Sequence, residues 1–186
     1  MRKLLLFLLL FAPLFCFAQV GEYYYSNNHP KAKGLNFQIQ VPIGFEQKEG
    51  VRPNIVQKFD KWNSDRTIFT SFNLLVNKDE SIDLSTEEWR KNLKDPLILK
   101  EIVSELPNPT NYKYYVLDNY PGLIVDAYDE LERLDITITM HMTQILAYVD
   151  SYLFMLQIVS NSQKSLNEHK GLLRDMANSV VFPDQY

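Results

Sequence analysis

The chain has 186 residues, of which 46% are hydrophobic, and a formal net charge of −4. This length fits one domain with a sizeable core, and the acidic balance disfavours binding to nucleic acid or to an anionic membrane surface. The chain has a single cysteine, Cys16, which excludes an internal disulfide and a metal site built from several thiolates.

The first eighteen residues predict a secretory signal peptide. Arg2 and Lys3 give a positively charged start, and residues 4–17 are almost entirely apolar. Cys16 and Ala18 place small residues three and one positions before a cut at Gln19. We expect cleavage after Ala18, because an apolar run of about 14 residues is shorter than the roughly 20 that span a bilayer. The alternatives are an uncleaved anchor and a lipidated Cys16, which a large residue just before the cysteine disfavours.

Residues 19–34 are interpreted as a flexible N-terminal arm that precedes one globular domain over residues 35–186. The arm combines the run Tyr23-Tyr24-Tyr25 with polar residues, Pro30 and Gly34. The alternative is a tyrosine-bearing segment that docks on its own domain or on a partner. Without Arg2 and Lys3 the chain keeps 17 basic and 23 acidic side chains, a net charge of −6.

The first half of the domain predicts three strands and two helices. Leu35–Val41 alternates apolar and polar residues and ends at Pro42-Ile43-Gly44-Phe45. Phe45 is expected to return over an edge of the core. Strands at residues 54–61 and 66–76 form a hairpin around a polar turn. Ser85 and Glu88 fit a capping box at the start of a helix, and Asp95-Pro96 fits the cap of a second one.

The second half predicts four antiparallel strands and a terminal helix. The strands cover residues 112–118, 122–129, 134–149 and 152–160, with turns at 118–119, 130–133 and 150–151. Ser165 and Glu168 suggest a capping box for the helix. An apolar stripe at helical spacing indicates that it packs across the sheet; its members are Leu166, Leu173, Met176, Ala177 and Val180.

Three stretches of the chain carry a family resemblance. They are FQIQVPIGF, a strand ending in Pro-x-Gly-Phe, AYVDSYLFMLQIVS, a hairpin leading to the last helix, and LLRDMANSVVF, a helix ending in Asn-Ser before an apolar pair. Together they resemble the PsbP-like superfamily over about residues 34–183. This fold is shared by a photosystem II extrinsic subunit, bacterial secreted or lipid-anchored proteins and a nuclear-import factor.

The resemblance implies an α+β fold, with an antiparallel sheet of about six to seven strands flanked by helices in a PsbP-like αβα sandwich. It also implies membership of a group rich in accessory and binding proteins. The matching stretches mark turns and element ends, so no photosystem or nuclear-transport residue carries over, since one fold hosts unrelated roles.

The sequence offers little support for catalysis, and no metal or cofactor is expected. His29, His141 and His169 lie far apart and form no His-Glu-x-x-His motif, and no Gly-x-Ser-x-Gly elbow is present. One acidic cluster surrounds a predicted turn and is interpreted as a solvated hairpin tip, with a calcium site as the alternative. Its members are Asp126, Asp129, Glu130, Glu132 and Asp135.

Uncharged polar side chains on several predicted strands suggest a shallow groove for a neutral, sugar-like ligand. A fully solvated sheet face more often carries lysine and glutamate, although threonine is also simply a good strand former. The candidate ligand-binding residues are Gln38, Gln40, Ser71, Asn73, Thr137, Thr139, His141 and Gln157. The hypothesis requires that these side chains face one common concavity.

Tyrosines are concentrated near the start of the predicted meander. Tyr112, Tyr114, Tyr115 and Tyr120 are candidate partner-binding residues, because tyrosine combines an apolar ring with a polar hydroxyl and is enriched at interfaces. Packing within the sheet is the alternative.

The leading functional hypothesis is an exported accessory or binding protein of the cell envelope, periplasmic or secreted. It would act without catalysis, through contacts with another envelope protein or a small neutral ligand. One alternative is a hydrolase-type enzyme with a site assembled around His141, whose imidazole could act as a general base. The other is a small-ligand carrier with a deep cavity. Oligomeric state is open at this point.

Overall fold

The computed structural model describes residues 20–78, 84–133 and 135–186, so the predicted signal peptide lies outside the described residues. Nine strands and three helices follow one another in these ranges. The strands are β1 (Val20–Tyr25), β2 (Gln38–Pro42), β3 (Glu46–Glu49), β4 (Ile55–Trp62), β5 (Phe69–Lys78), β6 (Pro109–Leu117), β7 (Tyr120–Arg133), β8 (Ile136–Val149) and β9 (Tyr152–Ser160). The helices are α1 (Thr86–Asn92), α2 (Pro96–Ser104) and α3 (Gln163–Asn178).

Seven of the strands form one antiparallel sheet in the order β3-β4-β5-β9-β8-β7-β6. The remaining two, β1 and β2, pair antiparallel as a separate sheet. The predicted α+β class and the antiparallel sheet are therefore confirmed, although the sequence did not predict the short strands β1 and β3.

The two faces of the large sheet are covered by different layers. Successive side chains in a strand point to opposite faces, so the strand register assigns each side chain to one of the two layers. On the α3 face, Phe72 and Phe154 pack under Leu173 of the long helix in the main core, together with Phe37 and Ile39 of the two-stranded sheet. On the opposite face, here the α1–α2 face, a second cluster joins the short helices to the sheet; its buried members are Trp89, Leu93, Val103, Leu123, Val125, Leu146 and Tyr148.

Local sequence signals placed the first two helices correctly. Ser85 accepts a hydrogen bond from the Glu88 amide, and the Glu88 carboxylate accepts one from the Ser85 amide at 2.8 Å, which completes the capping box. Asp95 accepts from the Leu97 amide at 2.8 Å and caps the helix that begins at Pro96. The predicted box at Ser165 is wrong, because Ser162 caps α3 and Ser165 instead donates its amide to the Ser162 hydroxyl.

The segment predicted to be a flexible arm contains ordered elements. Tyr23–Tyr25 pair with the residues from Gln38 to Gln40 across β1 and β2, and the backbone amide of Ser26 donates to the Phe37 carbonyl at 3.0 Å. Ala32 and Leu35 are buried in the main core. The structure thus matches the alternative interpretation, in which the tyrosine segment docks on its own domain.

The first predicted strand begins later than expected but has the expected inward face. Leu35, Phe37 and Ile39 are buried, and Pro42 is the last residue of β2. Gly44 then adopts a φ of 78°, a left-handed conformation that glycine tolerates best. The reversal brings Phe45 over the core edge, where its ring meets the Phe72 ring edge-on with centroids 4.9 Å apart.

The hairpin of β7 and β8 is longer than predicted. The expected turn at residues 130–133 is wrong, because Glu130 pairs with Thr139 and Arg133 pairs with Ile136 as continuing strand. Strand β9 ends at Ser160, opposite His141. Beyond that point β7 and β8 continue as a two-stranded extension, which we call the ribbon (residues 129–133 and 136–140).

Candidate binding site

The eight residues predicted to share one groove lie in three separate places. Gln38 and Gln40 belong to the two-stranded sheet. Asn73 is paired with Gln157, and Ser71 with Val159, which puts Ser71, Asn73 and Gln157 on the α1–α2 face. Thr137, Thr139 and His141 lie on the α3 face. The predicted common concavity is not formed, because residues two apart share a face and the register of β8 against β9 separates the two sets.

Three of these residues belong to a hydrogen-bonded polar ladder that crosses the sheet. The Ser71 hydroxyl donates to Asp60 Oδ1 at 2.8 Å, and Asn73 Nδ2 donates to Gln157 Oε1 at 3.3 Å. Lys58 Nζ lies 3.0 Å from Asp60 Oδ2 and neutralises its buried charge. Ser71, Asn73 and Asp60 are all buried, so the ladder satisfies polar groups within the fold.

The four candidate partner-binding tyrosines are also divided. Tyr120 is buried and its ring meets the Phe182 ring edge-on, 5.3 Å between centroids. Tyr114 packs against the α1–α2 cluster and Tyr115 against the main core. Tyr112 is exposed on the edge strand β6. As a set they pack the sheet on both faces, and Tyr112 alone of the four presents an exposed ring.

The larger of the two cavities described here is a cleft of about 290 Å³ between the end of the β4–β5 hairpin and the start of α3, which we call the α3 cleft. Its lining residues are Lys61, Trp62, Asn63, Ile68, Thr70, Ser162, Lys164, Ser165, Glu168 and His169. Trp62 ends β4 and is 49% exposed. Its ring packs against Phe69 with centroids 4.9 Å apart and planes 47° apart, and the register of β4 against β5 places both rings on the α1–α2 side of the hairpin end.

The hairpin turn beside Trp62 is held by its own side chains. Asn63 Oδ1 accepts from the amides of Thr67 and Ile68, each at 2.9 Å. The Thr67 hydroxyl donates to Asp65 Oδ1 at 2.8 Å, and Thr67 contacts lower the pKa of the Asp65 carboxyl. Because the turn is tied at several points, the wall that it forms is preorganised.

A chain of hydroxyl groups lies under the cleft. Thr70 Oγ1 is 2.8 Å from Ser165 Oγ and donates to Ser160 Oγ at 3.1 Å. The Ser160 hydroxyl in turn donates to the Phe69 carbonyl at 2.7 Å. Thr70 and Ser160 are buried, whereas Ser165 is at the cleft surface. The chain therefore fixes the Ser165 hydroxyl from below.

His169 contributes an acceptor to the same cleft. Its Nδ1 lies 2.8 Å from the Ser165 carbonyl oxygen, and since a carbonyl only accepts, Nδ1 carries the proton. In the neutral ring Nε2 is then free to accept a hydrogen bond. The ring also meets Phe45 edge-on at 5.4 Å between centroids, which limits its rotation.

His141, the residue proposed for the alternative enzyme site, lies outside the α3 cleft. It is directly opposite Ser160 on β9 and Tyr128 on β7, on the far side of the hydroxyl chain from the cleft. Among the described residues, no three or more of His, Cys, Asp and Glu are grouped closely enough to hold a metal ion. Asp126, a member of the predicted acidic cluster, lies instead at a second cavity beside α3.

A smaller cavity of about 100 Å³ lies between α3 and strands β6 to β8. Asp126 accepts from Thr143 Oγ1 at 2.5 Å and from Lys170 Nζ at 2.8 Å. Burial alone would raise the pKa of the Asp126 carboxyl, but the hydrogen bonds from Lys170 and Thr143 and the charge of Lys170 outweigh it and lower the pKa. This pair fastens α3 to the sheet.

Sequence reasoning missed the α3 cleft because its walls come from distant segments. Trp62 and Lys61 belong to a hairpin end, whereas Ser165 and His169 lie about a hundred residues later on a helix. The available signal was the Ser165-to-His169 spacing of four, which places both side chains on one helical face. A second signal was Trp62, a tryptophan directly after the predicted strand at residues 54–61.

Comparison with known proteins gives matches at the level of structure. No family model matches the chain, and no curated protein matches it. Within the described ranges, no helix is long and apolar enough to cross a membrane.

Among solved structures, the chain is similar to cyanobacterial PsbP from Synechocystis, with a TM-score of 0.51 and 12% identity over 90% of this chain and 95% of that one. PA94 from Pseudomonas aeruginosa, a protein of unknown function, gives a TM-score of 0.48 and 10% identity over 87% and 97%. LpqN of Mycobacterium tuberculosis, involved in cell envelope biogenesis, gives 0.42 and 10% over 85% and 86%. The similarity to PsbP, together with the strand order and layers described above, shows that this chain has the PsbP-like fold.

Proposed function

We propose that the protein is an exported binding protein of the cell envelope and that its α3 cleft binds a small, uncharged, polyhydroxylated ligand of the sugar class without altering it. The observation that carries the proposal is a cleft with fixed hydrogen-bonding groups whose lining includes the half-exposed Trp62 at the hairpin end. Trp62 borders the cleft there, where its indole can contact the part of a ligand that leaves the cleft.

The polar side of the cleft contains hydrogen-bonding groups of Ser165, His169 and Lys61. Ser165 Oγ is held by Thr70 and the His169 ring by the Ser165 carbonyl. Lys164 and Glu168 lie 3.9 Å apart on the outer rim, so their charges largely balance. Lys61, whose ammonium lies 5.2 Å from the centroid of the Phe45 ring, is a further cation of the lining, and the other polar groups are mainly hydroxyl, amide and imidazole groups that suit a polyhydroxylated ligand.

The size of the cleft limits the ligand. A volume of about 290 Å³ is at the lower end for small-molecule sites. It accommodates a short saccharide or a ligand of similar size, and excludes an extended polymer except by one end. This supports binding of a soluble glycan fragment or of a glycan terminus.

Binding is tested by titrating a panel of neutral saccharides, with N-acetylglucosamine oligomers as the first probe, and measuring calorimetry and amide chemical shifts. We expect saturable shifts at Trp62, Ser165 and His169. Trp62→Ala should weaken binding about tenfold, since an aromatic contact contributes about 1–1.5 kcal/mol, and Trp62→Phe should weaken it less.

The matched control is Leu97→Ala, which removes an exposed apolar side chain on α2, away from the cleft. It should leave the affinity unchanged. If no neutral saccharide in the panel shifts the cleft resonances, or if Leu97→Ala and Trp62→Ala have equal effects, the proposed ligand class is wrong.

Export is tested independently of the ligand. The full-length gene is expressed in a Gram-negative host, and the protein recovered from the periplasm is analysed by mass spectrometry. We expect a mature chain that begins at Gln19, because Ala18 precedes the predicted cut. A full-length or cytoplasmic product would refute the envelope assignment, while leaving the cleft to its own test.

A further inference from the structure

The ribbon is a part of the sheet with an unpaired backbone edge. Its five residue pairs run from Asp129–Met140 to Arg133–Ile136. Strand β9, the neighbour of β8, stops at Ser160 opposite His141. Among the described residues, no strand therefore pairs with the outer edge of residues 136–140. That edge presents backbone donors and acceptors that another strand can use.

One side of the ribbon is aliphatic and exposed. Leu131 and Ile138 face each other across the two strands, and their exposed fractions are 49% and 39%. Ile136, on the same side, is 62% exposed. The opposite side carries Thr137 and Thr139 on β8 and two glutamates on β7. An exposed aliphatic strip beside an open strand edge is characteristic of an interaction surface.

The two edge strands of the seven-stranded sheet are protected against pairing. Edge strand β3 has four residues, three of them charged: Glu46, Lys48 and Glu49. Edge strand β6 begins at Pro109 and carries Lys113. In contrast, residues 136–140 read Ile-Thr-Ile-Thr-Met and contain neither a charge nor a proline. Proteins usually block edges with these residues, so the unblocked edge of β8 stands out.

We propose that two copies of this chain associate through residues 136–140 of β8, paired antiparallel about a two-fold axis that passes through Ile138. In this register Ile136 of one copy faces Met140 of the other, Thr137 faces Thr139, and Ile138 faces its own equivalent. Facing residues in this register are both even-numbered or both odd-numbered, so they lie on the same face of the sheet. Apolar side chains therefore meet only apolar ones, and threonines meet only threonines.

The register keeps like charges apart along the paired segment. The pairing ends at Met140, because Ser160 of β9 already lies opposite His141 on the same edge of β8. No like charges face each other along the strand, because the charged residues of the ribbon lie on β7 or at the turn. A self-complementary strand of this kind fits a second copy of itself.

The small size of the interface indicates a weak dimer. Five residues a side cover less than the roughly 1,200–2,000 Å² buried by stable complexes. The dimer is therefore concentration-dependent and dissociates on dilution. It joins the two seven-stranded sheets into one continuous sheet through the ribbons.

Cysteine trapping tests the register. Cys16 is the single cysteine of the chain, so full-chain variants in a Cys16→Ser background report only the introduced thiol. Ile138→Cys should form a disulfide-linked dimer under mild oxidation, because facing Cβ atoms lie about 4.5–5.5 Å apart. Ile136→Cys alone should not, whereas Ile136→Cys combined with Met140→Cys should. Equal trapping by Ile136→Cys alone and Ile138→Cys would overturn the register.

Sedimentation equilibrium over a concentration series tests the association itself. Ile138→Lys places two like charges at the two-fold axis and should weaken dimerisation about tenfold or more. Leu131→Lys is the matched control, because it adds the same charge to the same aliphatic side but on the inner strand, and it should have a smaller effect. A protein that stays monomeric throughout the series, or equal effects of the two lysines, would overturn the proposal.

Discussion

The Trp89 indole of α1 stacks on the Tyr148 ring of β8, with centroids 3.8 Å apart and planes 17° apart. Both residues are buried, and with Leu93 and Leu146 they join the short helices to the sheet. Among the residues that the structure describes, the buried Trp89 N–H has no hydrogen-bond partner. The stack therefore combines a large apolar contact with a polar group that these residues leave unsatisfied.

We expect Trp89→Ala to lower the free energy of unfolding by about 3–5 kcal/mol, because it leaves a large cavity in a buried cluster. Trp89→Phe should cost clearly less, since it keeps an aromatic ring on Tyr148 and removes the unsatisfied N–H. Urea denaturation at neutral pH measures both values. An equal loss for the two variants would show that the stack does not hold α1.

The stability of the protein should fall in alkaline solution. Burial raises the pKa of the Tyr148 phenol above the ordinary value of 10.0. A group whose pKa is raised by folding stabilises the protein below its unfolded pKa, and that contribution is lost as pH rises through the folded pKa. Tyr148→Phe should therefore flatten the loss of stability above about pH 10. Because burial also raises the pKa of Tyr24 and Tyr115, part of the slope should remain.

The Asp126–Lys170 pair should stabilise the protein at neutral pH but not in acid. The folded pKa of Asp126 is lowered, so its contribution is present above the unfolded value of 3.8 and is lost as pH falls through the folded pKa. We expect Asp126→Asn to reduce the free energy of unfolding by about 1 kcal/mol at pH 7 and the difference to vanish in acid.

Lys164 provides the control for this pair. Its ammonium lies 3.9 Å from Glu168, and both side chains are largely exposed. Since such surface pairs contribute little, Lys164→Met should leave stability within about 0.5 kcal/mol of the parent. Matching losses for Lys164→Met and Lys170→Met would contradict the role assigned to the half-buried pair.

Alanine substitutions at two glycines should change the stability of the protein in opposite directions. A Cβ on Gly122 of β7 would lie 1.9 Å from the Leu146 carbonyl oxygen on the neighbouring strand, whereas nothing lies within 4 Å of one on Gly171 in α3. We expect Gly122→Ala to destabilise the fold by several kcal/mol or to abolish folding, and Gly171→Ala to stabilise it by about 0.5–1 kcal/mol. Thermal melts followed by circular dichroism distinguish these outcomes.

Features set by neighbouring residues were predictable from the sequence. The caps at Ser85 and Asp95 depend on side chains within three positions of the helix start, and the sequence placed both correctly. The inward face of Leu35, Phe37 and Ile39 followed from alternation alone. The turn proposed at residues 130–133 was wrong because both sides of the ribbon are solvated, so a run of charged residues there looks the same as a turn.

The candidate site depended on information that one strand does not contain. Whether Ser71 and His141 share a face is decided by the register of two strand pairs through β9. Gln38 and Gln40 were assigned to the same surface, but they lie in a separate sheet. The groove prediction failed on these tertiary relationships, and the α3 cleft was missed for the same reason, since residues far apart in the chain form it.

The beginning and the end of the domain are bonded to each other. Gln38 donates its amide to the Val181 carbonyl at 2.9 Å and accepts from the Val181 amide at 3.0 Å, and the Gln40 amide donates to the Ser179 hydroxyl 139 positions later. The central pairing of β5 with β9 also joins distant segments. Such contacts form only after residues 179–181 have been synthesised, so the first strand of the domain stays without these partners during most of its synthesis.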